Sequence, residues 1–185
     1  YLLKNNMMQL DMFATNDWDR PIYFAVTTGP DSYINLEEYF ELVGLAYRLI
    51  PVKTTKASTP NTYGRVNTEV MYNNVMNKFK WGGMDSDRQI YMDENNLRMT
   101  NNIRLQFANL ADQLIEEEKI DMARDVLDKC IAVMPNHNVP FDRLLLPTIE
   151  NYYKIGDNEK ANDILEILFD RYSEDFEYYI SELIA

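Results

Sequence analysis

The second half of the chain carries apolar residues at intervals of three and four, a spacing that predicts amphipathic helices. One such stripe consists of Leu105, Ala108, Ala111 and Ile115. Thr100 is the expected N-cap of this first helix. The pattern predicts helices at 100–115, 120–134, 142–155 and 159–171, with a final capping helix at 176–183. Because the connections are short, consecutive helices are expected to pack as antiparallel hairpins.

The two predicted hairpins repeat one another in sequence. Four residues of the first are echoed by four of the second: Ala123, Leu127, Cys130 and Pro135 by Ala161, Leu165, Leu168 and Ser173. Tetratricopeptide repeats have a period of about 34 residues. Ala123 and Ala161 are 38 residues apart, so an insertion of about four residues is implied. It is expected in the loop around His137 and Pro140. The pattern indicates a tetratricopeptide-like repeat, a class that usually holds other molecules on an extended surface.

The first half of the chain contains segments with helical periodicity and segments with the alternation or apolar runs of strands. Helices are predicted at 1–15 and 66–80, strands at 20–26 and 44–52, and a helical turn at 34–42. Residues 53–64 are rich in Thr, Ser, Pro and Asn, which predicts an exposed loop. The predicted fold class is therefore α+β over residues 1–97, followed by an all-α, tetratricopeptide-like repeat of helical hairpins with a capping helix over 98–185.

Composition and charge narrow the classes of function. The chain has 185 residues, 46% of them hydrophobic, which is enough for a sizeable core. Its net charge is −12, so nucleic acid and anionic membrane surfaces are not expected as partners. No run approaches the ~20 apolar residues of a membrane helix. The chain nevertheless opens at Tyr1 in what reads as the middle of a helix, and we interpret it as a piece of a longer protein.

Few residues offer catalytic or metal-binding chemistry. Cys130, the only cysteine, lies in a helical apolar pattern and is predicted to be a packed core residue. His137, the only histidine, lies in a polar loop, an arrangement that disfavours a Cys–His pair. No catalytic residue and no metal ligand is assigned, and no cofactor is expected.

The segment before the first predicted strand has the chemistry of a sugar-binding patch. Trp18 could stack on a pyranose face while Asp19 and Arg20 bind hydroxyl groups. In the alternative interpretation, which the sequence favours, Trp18 packs into the core and Asp19 pairs with Arg20.

A second candidate segment follows the helix predicted at 66–80. Trp81 precedes two glycines, and Asp85 and Asp93 supply carboxylate oxygens that could bind a ligand or Ca²⁺. The spacing does not match an EF-hand loop, and the favoured alternative is a solvated turn in which Trp81 packs against the protein. A cleft lined by Trp18 and these three residues would instead favour binding of a sugar or an acceptor.

The helical half could also bind a polypeptide along the first helices of its hairpins. Repeat geometry predicts a groove faced by Asp112, Glu116, Glu150 and Tyr153. Such an acidic groove would suit a basic or amine-bearing partner. The alternative is that these side chains form ordinary solvated helix faces.

Four longer motifs resemble segments of a known family. They are ATNDWDRPIYFA at 14–25, GLAYRLIP at 44–51, KFKWGGMD at 78–85 and YMDENNLRM at 91–99. The chain resembles the C-terminal region of a Bacteroidetes family of multi-spanning membrane proteins that are similar to protein O-mannosyltransferases.

The resemblance implies a parent protein embedded in the inner membrane that uses a lipid-linked sugar. Its catalytic carboxylates would lie in the membrane half, so none is assigned here. This chain would lie on the periplasmic face as a non-catalytic accessory domain that binds or positions a polypeptide or glycan acceptor. The alternatives are a structural module for envelope assembly, or a sugar-active enzyme that would need two carboxylates roughly 5–10 Å apart.

Overall fold

The computed structural model describes residues 3–54 and 62–184, apart from the side chains of Glu182 and Ile184. Contacts divide the chain into an N-terminal unit, Tyr1–Lys78, and a C-terminal unit, Phe79–Ala185. The domain boundary predicted between residues 97 and 98 falls inside the C-terminal unit. The predicted loop at 53–64 lies largely outside the described residues.

The N-terminal unit contains two helices and four short strands in its described part. The helices are α1 (Lys4–Asn16) and α2 (Thr68–Asn73), and α2 continues as a π-helical turn over Asn74–Lys78. The strands are β1 (Ile22–Ala25), β2 (Phe40–Leu42), β3 (Ala46–Leu49) and β4 (Arg65–Val66). The strands predicted at 20–26 and 44–52 are thus confirmed, each over a shorter range than predicted. The helical turn predicted at 34–42 is one 3₁₀ turn, Glu37–Tyr39, followed by β2.

The strands form one mixed sheet in the order β1-β3-β2-β4. Both β1 and β2 run antiparallel to β3, whereas β4 is parallel to β2. Side chains alternate between the two faces of a strand, so Phe40 and Leu42 point one way and Glu41 the other. Each face of this small sheet therefore has its own stabilising cluster.

Aromatic rings fill one face of the sheet. The rings of Tyr33 and Phe40 meet edge-on with centroids 5.0 Å apart, and Phe40 stacks on Tyr47 at 5.4 Å. Phe24 adds a further contact to Phe40 at 5.0 Å. Gly64 passes so close to this cluster that a Cβ there would lie 1.9 Å from the Phe40 carbonyl oxygen, and its φ of +63° also favours glycine.

A buried carboxylate holds the opposite face. Glu41 is fully buried and accepts hydrogen bonds from Arg48 on β3 and from Arg65 on β4, whose Nε lies 2.9 Å from Oε1. Burial alone would raise the pKa of Glu41. Hydrogen bonds from both arginines and from Asn67 outweigh burial and hold the pKa below its usual value. The carboxylate therefore ties three neighbouring strands together in its ionised form.

The C-terminal unit is helical throughout its regular elements in the described part. These are α3 (Glu94–Glu116), α4 (Ile120–Val133), α5 (Leu146–Lys154) and α6 (Asn158–Ile184), with a 3₁₀ turn at Arg143–Leu145 leading into α5. A mixed N-terminal half followed by a helical half is thus the observed arrangement, as the sequence predicts.

Helix α3 begins earlier than predicted. Asp93 is the N-cap, and its carboxylate accepts the backbone N–H of Asn96 at 2.8 Å. Thr100 lies inside the helix, where its hydroxyl donates to the Asn96 carbonyl at 2.8 Å. A helical threonine that bonds back to residue i−4 carries the same sequence signal as an N-cap, which explains the error.

Helix α6 runs without interruption for 27 residues. The predicted end at 171 and the separate capping helix at 176–183 are therefore wrong. In the repeat, Ser173 corresponds to Pro135, the residue that follows α4. Serine inside a helix costs well under about 1 kcal/mol, whereas proline costs about 3. Only the proline ends its helix.

The four helices pack as two consecutive hairpins. Helix α3 contacts α4 and α5, and α5 contacts both α4 and α6. Ala123 and Ala161 are fully buried, as expected of small residues where helices cross closely. Cys130 is also fully buried, which confirms its place in the core. Burial raises the pKa of this thiol to about 12, so it is neutral at physiological pH.

One buried arginine holds the loop between α4 and α5. Arg104 on α3 is fully buried and donates to the carbonyl oxygens of Met134 at 2.8 Å and Pro140 at 3.0 Å. It also donates to the Val139 carbonyl, and its guanidinium lies 5.1 Å from the centroid of the Phe141 ring. Burial lowers the pKa of Arg104. The loop in which an insertion was predicted therefore follows a course set by α3.

Candidate binding surfaces

A tight turn after α1 presents Trp18 to solvent. Asp17 and Trp18 have φ angles of 43° and 61°, uncommon for residues with a side chain. The Asp19 N–H donates to the Asn16 carbonyl at 2.9 Å, and the Asn16 side chain donates to the Arg20 carbonyl at 2.8 Å. Trp18 is 54% exposed, so the expectation that it packs into the core is wrong. In the described part of the chain no Asp19–Arg20 ion pair forms, and sugar stacking on Trp18 stays a prediction.

The second predicted segment is divided among separate environments in the C-terminal unit. The Trp81 ring packs on Phe79 and Phe107, with centroid distances of 5.9 and 5.2 Å. Asp85 is exposed, and Asp93 is engaged as the N-cap of α3. Trp81 therefore packs against the protein, as the favoured alternative states. Ligand binding by these residues stays a prediction.

The predicted acidic groove contains a lysine that sequence reasoning missed. Lys154 Nζ lies 2.7 Å from Asp112 Oδ1 on α3 and 3.1 Å from Glu150 Oε1 on α5. Burial would lower the pKa of Lys154, but its bonds to Asp112 and Glu150 raise it. Two of the four predicted residues are thus brought together, with part of their charge neutralised. The spacing of Glu150 and Lys154 was the available signal.

The other two predicted groove residues have different surroundings. Glu116 is exposed and accepts a hydrogen bond from Gln113 at 3.0 Å. The Tyr153 hydroxyl bonds to Asn162 Oδ1 on α6 at 2.5 Å. Tyr153 is therefore engaged by α6 rather than by α3. Polypeptide binding in this groove stays a prediction.

An apolar stripe that sequence reasoning missed runs along the outer part of α6. Its members are Leu165, Phe169, Tyr172, Phe176, Tyr179 and Leu183. Their spacing alternates strictly between four and three, the a/d pattern of a coiled-coil seam. All six are exposed, Phe176 and Tyr179 each by 65%. Because the helix was predicted to end at residue 171, this stripe was divided between two predicted helices. We call these six residues the α6 seam.

Acidic residues surround the α6 seam. Residues 165–185 contain six acidic side chains and one basic one, Arg171. In heptad terms three of the six flanking e and g positions are acidic, and charges there select the partner helix; they are Glu166, Asp175 and Glu182, the others being Leu168, Ser173 and Ile180. The seam therefore has the surface chemistry of a site for a helix with an apolar stripe and basic flanks.

A separate groove of about 530 Å³ lies between α4 and α6. Its floor is mainly apolar and includes Ile131, Ala132, Ile164 and Ile167. At one end Asp128 accepts hydrogen bonds from the Tyr152 hydroxyl at 2.9 Å and from Lys160 Nζ at 2.7 Å. Burial, and then the Asp128 carboxylate, raise the pKa of Tyr152. These polar groups satisfy one another, so the free part of the groove suits an apolar group.

The described residues contain neither a cluster of metal ligands nor a helix suited to span a membrane. Within 3–54 and 62–184, no three His, Cys, Asp or Glu side chains come together in a way that could hold a metal ion. Over the same residues, no helix has the length together with the apolar character that a bilayer crossing requires.

Comparison with known protein families gives a match over the first part of the chain. No curated protein matches the chain, and no solved structure does. Residues 1–70, which cover most of the N-terminal unit, match the family model described as TMEM260-associated domain 2. This match is consistent with a domain of a TMEM260-like membrane protein.

Proposed function

We propose that this chain is a non-catalytic accessory part of a glycosyltransferase-like membrane protein, and that it binds or positions the acceptor polypeptide. The match of residues 1–70 to a TMEM260-associated domain supports the membrane-protein context. The resemblance to proteins similar to O-mannosyltransferases supports the reaction class and a position on the periplasmic face.

The arrangement of the C-terminal unit supports a tetratricopeptide-like repeat. Each of its two hairpins buries a small residue where its helices meet, Ala123 in one and Ala161 in the other. The first helix of the second hairpin, α5, packs on both helices of the first. Repeats stacked in this way present extended surfaces that bind polypeptides.

The α6 seam is the observation that carries polypeptide binding. Fully burying one large apolar side chain contributes about 1.5–3 kcal/mol, and the seam exposes six in a single line. The regular a/d spacing fits one partner helix along the length of the stripe. We assign as its occupant an amphipathic helix of the acceptor with Lys or Arg beside its apolar stripe.

A second copy of this chain fits the seam less well. Pairing two copies would bring together two strongly acidic stretches of residues 165–185. Like charges across such an interface repel one another and weaken binding, whereas basic side chains of a partner helix would be attracted to these acidic residues. The seam therefore favours a basic helix over self-association.

Two designed peptides test this assignment. Each is a 21-residue helix with Leu at the a and d positions, and one has Lys and the other Glu at e and g. Fluorescence anisotropy with the full 185-residue chain should give a Kd of about 10 µM for the Lys peptide and weaker binding for the Glu peptide. Binding of the Lys peptide should also weaken as salt rises.

Substitutions on one helix provide a matched control. Phe176→Ala and Tyr179→Ala should each weaken binding of the Lys peptide about tenfold, because both remove seam contacts. Tyr178→Ala removes a similarly exposed ring just outside the seam, one that meets the Tyr179 ring edge-on with centroids 5.6 Å apart, and should weaken binding less than Tyr179→Ala does. Equal affinity for both peptides, or a dimer of the chain that Phe176→Ala abolishes, would refute the assignment.

Experiments in the full-length parent protein distinguish a role in acceptor binding from a role in envelope assembly. In the full-length membrane protein, Phe176→Ala and Tyr179→Ala should lower transfer of sugar to an acceptor with a basic helix while leaving membrane insertion unchanged. If transfer is unchanged but recovery of the parent in a larger complex falls, the chain is a structural module for envelope assembly instead.

A further inference from the structure

Three arginines surround one pocket in the C-terminal unit. The pocket has a volume of about 350 Å³ and lies between the start of α3, the turn that precedes α5, and α6. Arg98 comes from α3, Arg143 from the turn and Arg171 from α6. Three exposed basic residues from three elements thus line one pocket in a chain of net charge −12.

The three guanidinium groups retain donors for a ligand. Arg98 Nη2 donates to Asn95 Oδ1 at 3.2 Å, and Arg171 Nη1 donates to the Phe141 carbonyl at 3.0 Å. Among described residues none of the three forms an ion pair with a carboxylate. Each guanidinium has five N–H donors, so most of these donors are still unused.

Two acidic residues also line the pocket, and one of them is already engaged. The Asp142 carboxylate accepts hydrogen bonds from Asn101 Nδ2 at 2.7 Å and from the Leu144 N–H at 2.9 Å. Glu94 is the other acid. Three guanidinium charges against two carboxylates leave the pocket positive, in contrast to the rest of the chain.

We infer that the Arg98–Arg143–Arg171 pocket binds a phosphate monoester. A phosphate monoester carries a charge of about −1.5 to −2 and three oxygens that accept strong hydrogen bonds, which suits three guanidinium groups. A carboxylate has two oxygens and a single charge, and leaves donors unused. The pocket volume also leaves room for the alcohol part of the ester.

The same chemistry could come from a free metabolite or from a lipid headgroup. Glycerol 3-phosphate represents the free ester, and glycerate is its matched carboxylate. Phosphatidylcholine vesicles with and without phosphatidic acid represent the lipid source. The pocket adjoins the α6 seam, because the Arg143 N–H donates to the hydroxyl of Tyr172, a seam residue, at 2.9 Å. The pocket and the seam are assigned different ligands, so failure of the pocket leaves the proposed function untouched.

Titration calorimetry of the full chain tests the pocket. Glycerol 3-phosphate should bind with a measurable Kd, and glycerate should bind at least about tenfold more weakly. Arg143→Ala should weaken glycerol 3-phosphate about tenfold or more, because it removes charge-assisted hydrogen bonds. Arg88→Ala is the control, since Arg88 is an exposed arginine of the same unit that does not line the pocket.

The outcomes are distinct. Binding of glycerol 3-phosphate without vesicle binding identifies a free ester, and tighter binding to vesicles that contain phosphatidic acid identifies a lipid headgroup. Either result supports the site if Arg143→Ala weakens that binding about tenfold or more. Absence of binding to both probes, equal binding of glycerate, or equal effects of Arg143→Ala and Arg88→Ala would overturn the inference. Circular dichroism of each variant shows that loss of binding is not loss of fold.

Discussion

Replacing Arg104 tests whether one buried side chain fixes the course of the loop between α4 and α5. Arg104→Met removes the guanidinium and keeps an apolar stem of similar length. The buried carbonyl oxygens of Met134 and Val139 then lose their donor. Hydrogen bonds to charged groups contribute about 1.5–3 kcal/mol each, so two of them give about 3–6 kcal/mol.

That loss is large compared with the stability of a typical domain. Domains unfold with free energies of about 5–15 kcal/mol, so Arg104→Met should remove a large part of the stability of the C-terminal unit. Arg104→Lys keeps the charge but offers one point of donation in place of a planar fork. It should therefore also destabilise the unit, by about 2–4 kcal/mol.

The assay uses Trp81, whose ring packs on Phe107 of α3. In a Trp18→Phe background, tryptophan fluorescence during urea unfolding reports the C-terminal unit alone. Arg124→Met is the matched control, because Arg124 is a helical arginine whose ion pair with Asp121 is exposed, and such pairs contribute about 0–1 kcal/mol. A loss below about 1 kcal/mol for Arg104→Met would refute the reasoning.

Three further predictions concern stability and reactivity. Glu41→Gln should cost the N-terminal unit about 1.5–3 kcal/mol at pH 7. The pKa of Glu41 in the folded protein lies below its unfolded value of 4.5. The ionised carboxylate therefore contributes its full stability above pH 4.5, and this stability is lost as pH falls through the folded pKa. Acid unfolding of Glu41→Gln should lack this pH dependence. Gly64→Ala should cost at least about 3 kcal/mol by chemical denaturation, since the new Cβ meets the Phe40 carbonyl, whereas Gly29→Ala, with open space around it, should change stability by under about 0.5. The Cys130 thiol should not react with a disulfide reagent at pH 8 until the protein unfolds, and rapid reaction in native buffer would contradict its burial.

Periodicity predicted most of the helices, because their apolar positions follow one face over several turns. It failed at α6, where the predicted end at residue 171 divided a helix that continues to Ile184. That error also concealed the α6 seam, whose regular spacing from Leu165 to Leu183 was present in the sequence. The same periodicity therefore indicates both the uninterrupted helix and its exposed apolar stripe.

Other features depend on contacts that no local pattern shows. Strand β2 has three residues, too few for an alternating pattern, and it exists because β3 and β4 pair with it. Arg104 has the sequence pattern of a solvated helix residue, since the three backbone carbonyls that it bonds lie 30 or more residues further along the chain. The arginine pocket likewise needs three distant elements to meet.

Hydrogen exchange of backbone amides in the full chain, measured with and without the Lys peptide, tests the central claim most directly. If a basic amphipathic helix binds the α6 seam, amides of residues 169–183 should exchange more slowly in its presence, while those at the centre of α3 should not change. Unchanged exchange in α6 at saturating peptide, or equal protection throughout the C-terminal unit, would contradict the account.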